Sequence, residues 1–195
     1  MRVLVIPEDF RKDQYVLKPI LTAMLSALDR PKAEIRVCQD PLLGGVSQAL
    51  SGEKILQIVE RYRGMVDLFI LCVDRDGVKG RRQRLDQLEA EMRAHVAAGK
   101  ALLGENAWQE VEVWALAGHD LPPAWQWKDI RLETNPKEKY FVPFAAKRSL
   151  LDEPGEGRRT LAEEAAGRYP RIRQLCPEDV GALENRIRVW IGGNS

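Results

Sequence analysis

The chain has 195 residues, enough for one domain with a full hydrophobic core, and nothing in it requires a second. Hydrophobic residues make up 45% and charged residues 30%, with a formal net charge of +1, a balance that excludes a disordered or membrane-embedded chain and names no partner. Three widely spaced cysteines, Cys38, Cys72 and Cys176, with no CxxC pairing, argue against a disulfide framework or a zinc ribbon and are expected as buried thiols.

The first residues, MRVLVIPEDF, carry one Arg and an apolar stretch far shorter than a signal-peptide core. No later stretch approaches a membrane span, so a cytoplasmic protein without membrane contact is expected. RVLVI (2–6) is a branched apolar run typical of a strand covered on both faces, stopped by Pro7. Leu17, Ile20, Leu21, Met24, Leu25 and Leu28 then recur at helical spacing, up to Pro31. AEIRVC (33–38) predicts a second strand, and Ile55, Leu56, Val59 and Tyr62 a helix ending near Gly64. VDLFILCVD (66–74) is the strongest strand; Leu85, Leu88, Met92 and Val96 give the following helix its inner face, with Gly99 as a cap beyond it. EVEVWALAG (110–118) reads as a fourth strand.

This alternation predicts an α/β core with a mainly parallel sheet and helices on both faces, spanning residues 1–120. Residues 121–195 continue a proline loop that begins at His119 (HDLPPAWQW) and contain a polar linker (DEPGEGRR) and an amphipathic segment marked by Val180, Leu183, Ile187 and Ile191. They predict a helical C-terminal extension packed on the core.

In an open parallel sheet, ligands collect outside the carboxyl ends of the strands. The first predicted strand ends in Glu8 and Asp9, with Asp13 opening the next helix; the third ends in Asp74 and Asp76; the fourth carries Glu110 and Glu112. Residues two apart in a strand share a side, so each pair is expected to converge. Converging carboxylates repel, and a hard divalent cation resolves the conflict; with only oxygen donors on offer, magnesium suits such a site better than zinc.

The order of a strand ending in Glu8, a helix, and a strand ending in Asp74-x-Asp76 resembles the Toprim domain of topoisomerases, primases and overcoming-lysogenization-defect nucleases. A closer resemblance, to small Toprim-like proteins encoded beside an ATPase in phage-defence loci, rests on EDFRKDQYVLKPIL, CVDRDG, EVEVWALAG, NPKEKYF and RYPRIRQLCPEDVGALENRI. One departure is Asp9, where many Toprim domains have glycine after the glutamate. The resemblance implies phosphodiester chemistry with Mg2+ (or Mn2+). Asp74 and Asp76 would hold the ion, Glu8 would serve as ligand or general acid/base, and Glu112 with Asp13 would serve a second metal.

VKGRRQRL brings Lys79, Arg81, Arg82 and Arg84 to the start of the third helix, where cations oppose the helix dipole unless an anion lies nearby. A DNA or RNA backbone would supply that anion, and Lys137 is a further candidate contact. Lys139 is expected as an exposed helix start, Trp114 as core, and Trp125 and Trp127 as lid packing or base-stacking surfaces. The resulting expectation is a metal-dependent nuclease acting as a defence effector under an ATPase partner. A non-catalytic regulatory or nucleic-acid-binding subunit of that ATPase is the alternative. A signalling receiver fits less well, because it has no use for the second aspartate of the DxD.

Overall fold

The computed structural model describes residues 1–193. Four strands, β1 (Arg2–Pro7), β2 (Glu34–Val37), β3 (Leu68–Asp74) and β4 (Ala101–Ala107), form one all-parallel sheet in the order β2-β1-β3-β4. Val3 pairs with Leu68 and Pro7 with Cys72, so β1 and β3 end almost level. Asp74 in turn aligns with Ala107 of β4.

Alternation along β1 and β3 divides the core. Val3, Val5, Leu68, Ile70 and Cys72 face one buried cluster, whereas Leu4, Ile6, Phe69, Leu71 and Val73 face the other. Both faces are dry, which is why these strands read as continuous apolar runs. The second cluster is closed by α2 (Val46–Ala49), α3 (Gly52–Tyr62) and α4 (Arg81–Met92), through Ile55, Ile58, Val59, Leu85, Leu88 and Met92.

The first cluster is closed by α1 (Phe10–Ala27), α5 (Glu112–Ala117) and the C-terminal helices α6 (Trp127–Leu132), α7 (Val142–Lys147), α8 (Arg158–Ala166), α9 (Tyr169–Leu175) and α10 (Ala182–Gly193). Single π turns at Lys137–Phe141 and Pro177–Gly181 lead into α7 and α10. Phe141, Leu161, Ile172, Val180, Leu183 and Ile187 share a continuous apolar cluster with β1, β3 and α1. Residues beyond 120 therefore complete one face of the sheet. Gly118 lets α5 approach α8 closely: a Cβ there would stand 2.4 Å from the Ala165 Cα.

The fourth strand lies elsewhere than its pattern predicts. Residues 112–117 are helix, and β4 is ALLGENA (101–107). Every residue of α5 is buried, so after Glu112 the segment is apolar on all sides and carries no helical period. Glycine and two polar residues disguise β4; its Glu105 is tolerated at 2% exposure because Arg82 and Arg186 reach it. No described helix is long and apolar enough to cross a membrane.

Candidate metal centre

The β2-β1-β3 order reverses winding direction between β1 and β3, and such a switch point opens a crevice at the strands' carboxyl ends. Glu8 leaves β1 there and Asp74 ends β3. The Glu8 Oε2 accepts the backbone N–H of Asp74 at 3.1 Å, joining the two strand ends directly.

Beyond Asp74 the chain turns through left-handed conformations at Asp76 (φ 50°) and Gly77 (φ 67°). The turn is held by the β4–α5 connection. The N–H groups of Arg75 and Asp76 donate to the Gln109 carbonyl at 2.9 and 3.2 Å, and the Gly77 N–H donates to the Gln109 side-chain oxygen at 2.8 Å. Asp74 Oδ1 closes the link by accepting the Val111 N–H at 2.9 Å. Glu110 is thereby carried to the aspartates, and oxygens of Asp74, Asp76 and Glu110 lie within 4.8 Å of one another.

Electrostatics in this cluster favour a cation. Burial raises the Asp74 pKa well above the usual carboxylate range, and the charges of Glu112, Asp13, Glu8 and Asp76 add to the rise. Burial likewise raises Glu8 and Glu110, opposed by the Asp74 amide in one case and by Lys137 in the other. Asp13, 7% exposed in the first turn of α1, is pushed up to about 7 by burial although it accepts the Asp9 N–H. A hard divalent ion fits this all-oxygen donor set, with Asp74, Asp76 and Glu110 as its ligands and Glu8 beside them. Next to Glu8, a cleft of about 650 Å³ opens between the β1–α1 and β2–α2 connections, lined by Phe10, Arg11, Leu43 and Gln48 among others.

Several expected residues have other occupations. Glu112 is on a helix, so it does not share a side with Glu110. Its Oε1 is gripped by Arg158 Nε at 2.8 Å and Nη2 at 2.6 Å, with the two side chains 4% and 1% exposed. Glu112 is thus paired with Arg158 and Asp13 accepts the Asp9 N–H, while both carboxyls stay near enough to Asp74 for their charges to raise it. Arg82 binds the Gly104 carbonyl, Asp86, Glu89 and Glu105, while Arg84 binds the Leu50 carbonyl and Glu91. These two arginines, with side chains 37% and 34% exposed, fasten α4 to its neighbours. Lys137 holds Glu110 through both its N–H (2.7 Å) and its ammonium (3.3 Å). Lys79 is exposed, and Arg81 stands beside Asp76. Trp125 packs edge-on against Tyr140, and the Trp127 Nε1 donates to the Leu175 carbonyl, so both rings serve packing.

Sequence reasoning missed three contributors. Gln109 has no pattern to mark it. Arg158 is concealed in a polar stretch, DEPGEGRR, whose composition suggests a solvated linker. Asp179, fully buried, accepts the Trp108 N–H at 2.7 Å and the Trp114 indole at 2.8 Å, and pairs with Arg131 at 3.1 Å. It thus pins the start of the loop that carries Glu110. Beside it, the Arg75 guanidinium lies 3.8 Å from the centre of the Trp108 ring.

No family model, curated protein or solved structure matches this chain.

The raised carboxyl groups carry a stability signature. Asp13 and Glu105 both titrate at about 7 in the folded chain, with burial as the main cause, against about 4 when unfolded. The native state therefore holds more protons than the unfolded state across that window, and stability falls as pH rises through it. In chelator, the melting temperature followed by circular dichroism is expected to decline from about pH 4.5 to pH 8. Asp13→Asn should flatten the decline, and an unchanged slope would remove Asp13 from the account.

Proposed function

We propose that this protein is a Mg2+-dependent nuclease hydrolysing phosphodiester bonds of DNA or RNA. The observation that carries the reading is the convergence of Asp74, Asp76 and Glu110 at the sheet's switch point, with Glu8 bonded to the Asp74 amide. The Toprim resemblance of the Glu8 and Asp74-x-Asp76 pattern supports the same chemistry, and it extends the proposal to a defence effector governed by an ATPase partner.

In this reading Asp74, Asp76 and Glu110 hold one divalent ion. A bound ion of this kind supplies Lewis-acid stabilisation of charge on phosphoryl oxygens. Lys137 steadies Glu110 by a bond to each of its oxygens. Glu8 keeps Oε2 on the Asp74 amide, leaving Oε1 to take or give a proton; burial moves its pKa toward the range a general acid/base needs. The adjoining cleft gives a substrate strand room to pass Glu8.

The test is incubation of the full chain with plasmid DNA and with total RNA, in Mg2+, in Mn2+ and in chelator, with and without the ATPase from the same locus. Cleavage that needs the metal supports the reading. Its absence under every condition defeats it.

Among the basic residues, Lys79 is exposed and open to a backbone, whereas Arg82 is committed to the fold. Lys79→Ala is expected to reduce the slope of log affinity against log salt by about 0.7 to 0.9, the worth of one phosphate contact. Fluorescence anisotropy on a labelled oligonucleotide reads this slope, and an unaltered value would exclude Lys79 from the interface.

A further inference from the structure

Arg81 is the first residue of α4, a twelve-residue helix whose N-cap, Gly80, has no side chain to satisfy the opening amides. No acid lies in the first turn. A cation at this end opposes the helix dipole, so its position needs a compensating anion.

The acid nearest to it compensates poorly. Arg81 Nη2 stands 3.8 Å from Asp76 Oδ2, beyond hydrogen-bond distance, although the Arg81 side chain is only 10% exposed. Its Nε is buried without a partner. Arg82 and Arg84, on the same helix, have guanidinium groups bonded to carbonyls and carboxylates. A guanidinium offers five donors in a planar fork, and buried donors in folded proteins are almost always paired. Here an arginine with an unpaired buried Nε, an uncapped helix start and a cluster of metal-type oxygens meet at one point; a tetrahedral oxyanion satisfies the first two and shares a cation with the third.

We propose that Arg81, with the first-turn amides of α4, binds a phosphate group of the substrate next to the cation held by Asp74, Asp76 and Glu110. The inference rests on the metal-centre reading above and adds to it the anion subsite. Arg81 grips phosphate oxygens through two parallel N–H bonds, and the helix start adds backbone donors. Asp76, across the 3.8 Å gap, then faces the cation rather than the arginine.

The test uses the full chain and inorganic phosphate as probe, titrated calorimetrically with and without Mg2+, after Mg2+ binding has been measured alone. Wild type is expected to bind phosphate. Arg81→Met, which keeps the buried stem, should bind it about tenfold more weakly or worse while retaining Mg2+ affinity and a cooperative melt. Arg81→Lys keeps the charge without the fork and should recover only part of the loss. Full recovery by lysine, or unchanged phosphate affinity in Arg81→Met, overturns the proposal. Phosphate failing to bind wild type while Mg2+ binds overturns it and leaves the metal centre standing. Failure of Mg2+ to bind defeats the metal centre, and phosphate affinity in chelator then decides the Arg81 subsite by itself. Paired oligonucleotides with and without a 5′-phosphate separate a terminal monoester from an internal diester as the natural occupant, and in either case Arg81→Met must weaken the binding.

Discussion

Replacing Asp74 and Asp76 together by asparagine is expected to reduce metal-dependent cleavage by about a thousandfold or more. Metal-ion stabilisation of a phosphoryl transition state is worth several kcal/mol, and each 1.36 kcal/mol is a factor of ten in rate. The same variant makes a second, opposite prediction about stability. Asp74 is half-buried among Glu112, Asp13, Glu8 and Asp76, and its raised pKa means that folding with this group ionised is unfavourable. Asparagine removes the charge but keeps an oxygen for the Val111 N–H. In chelator the double variant should therefore melt above wild type at neutral pH, and addition of Mg2+ should no longer raise its melting temperature. The two readouts discriminate a metal centre from a structural acid cluster. Retained cleavage, or a Mg2+ shift equal to that of wild type, would mean that the ion binds elsewhere or not at all.

Asp179→Ala is expected to destabilise the chain by about 3–5 kcal/mol, the usual cost of removing one partner from a buried ion pair. The carboxylate is fully buried and serves Trp108, Trp114, Arg131 and its own neighbour Val180. Its loss leaves the Arg131 guanidinium, in a residue 8% exposed, with Glu178 as its remaining carboxylate partner, and it frees the Trp108 amide and the Trp114 indole. Since whole domains are stable by about 5–15 kcal/mol, such a loss consumes much of the margin. Urea unfolding measures it directly; a change below about 1 kcal/mol, the range of an exposed ion pair, would show that Asp179 is dispensable. Asp179→Asn keeps the acceptor oxygen for Trp108 and should fall between the two.

The parts of this molecule legible in the sequence are those where one kind of burial dominates. β1 and β3 are covered on both faces and read as unbroken apolar runs, while α1, α3 and α4 are covered on one side and show the helical period. The acids at their ends stand out because nothing in a core explains them. Between residues 101 and 118 the signals cross. Glu105 and Asn106 make a real strand look polar, and the wholly buried α5 looks like a strand. That exchange also separates Glu110, which meets Asp74 and Asp76, from Glu112, which pairs with Arg158, because a helix directs those side chains to different neighbours. Arg158 and Asp179 were illegible for another reason: Glu112 lies 46 residues from Arg158, and the partners Arg131, Trp114 and Trp108 lie 48 to 71 residues from Asp179, and no local pattern encodes a long-range ion pair.

The attachment of Trp108 to Asp179 has an implication for engineering. A fragment ending near residue 120 would contain every proposed ligand and yet lack the strut beneath the loop that aims Glu110. Transplanting the sheet and its flanking helices alone would therefore deliver the right amino acids in a sagging frame; a functional graft must bring along the distal turn at Pro177–Gly181.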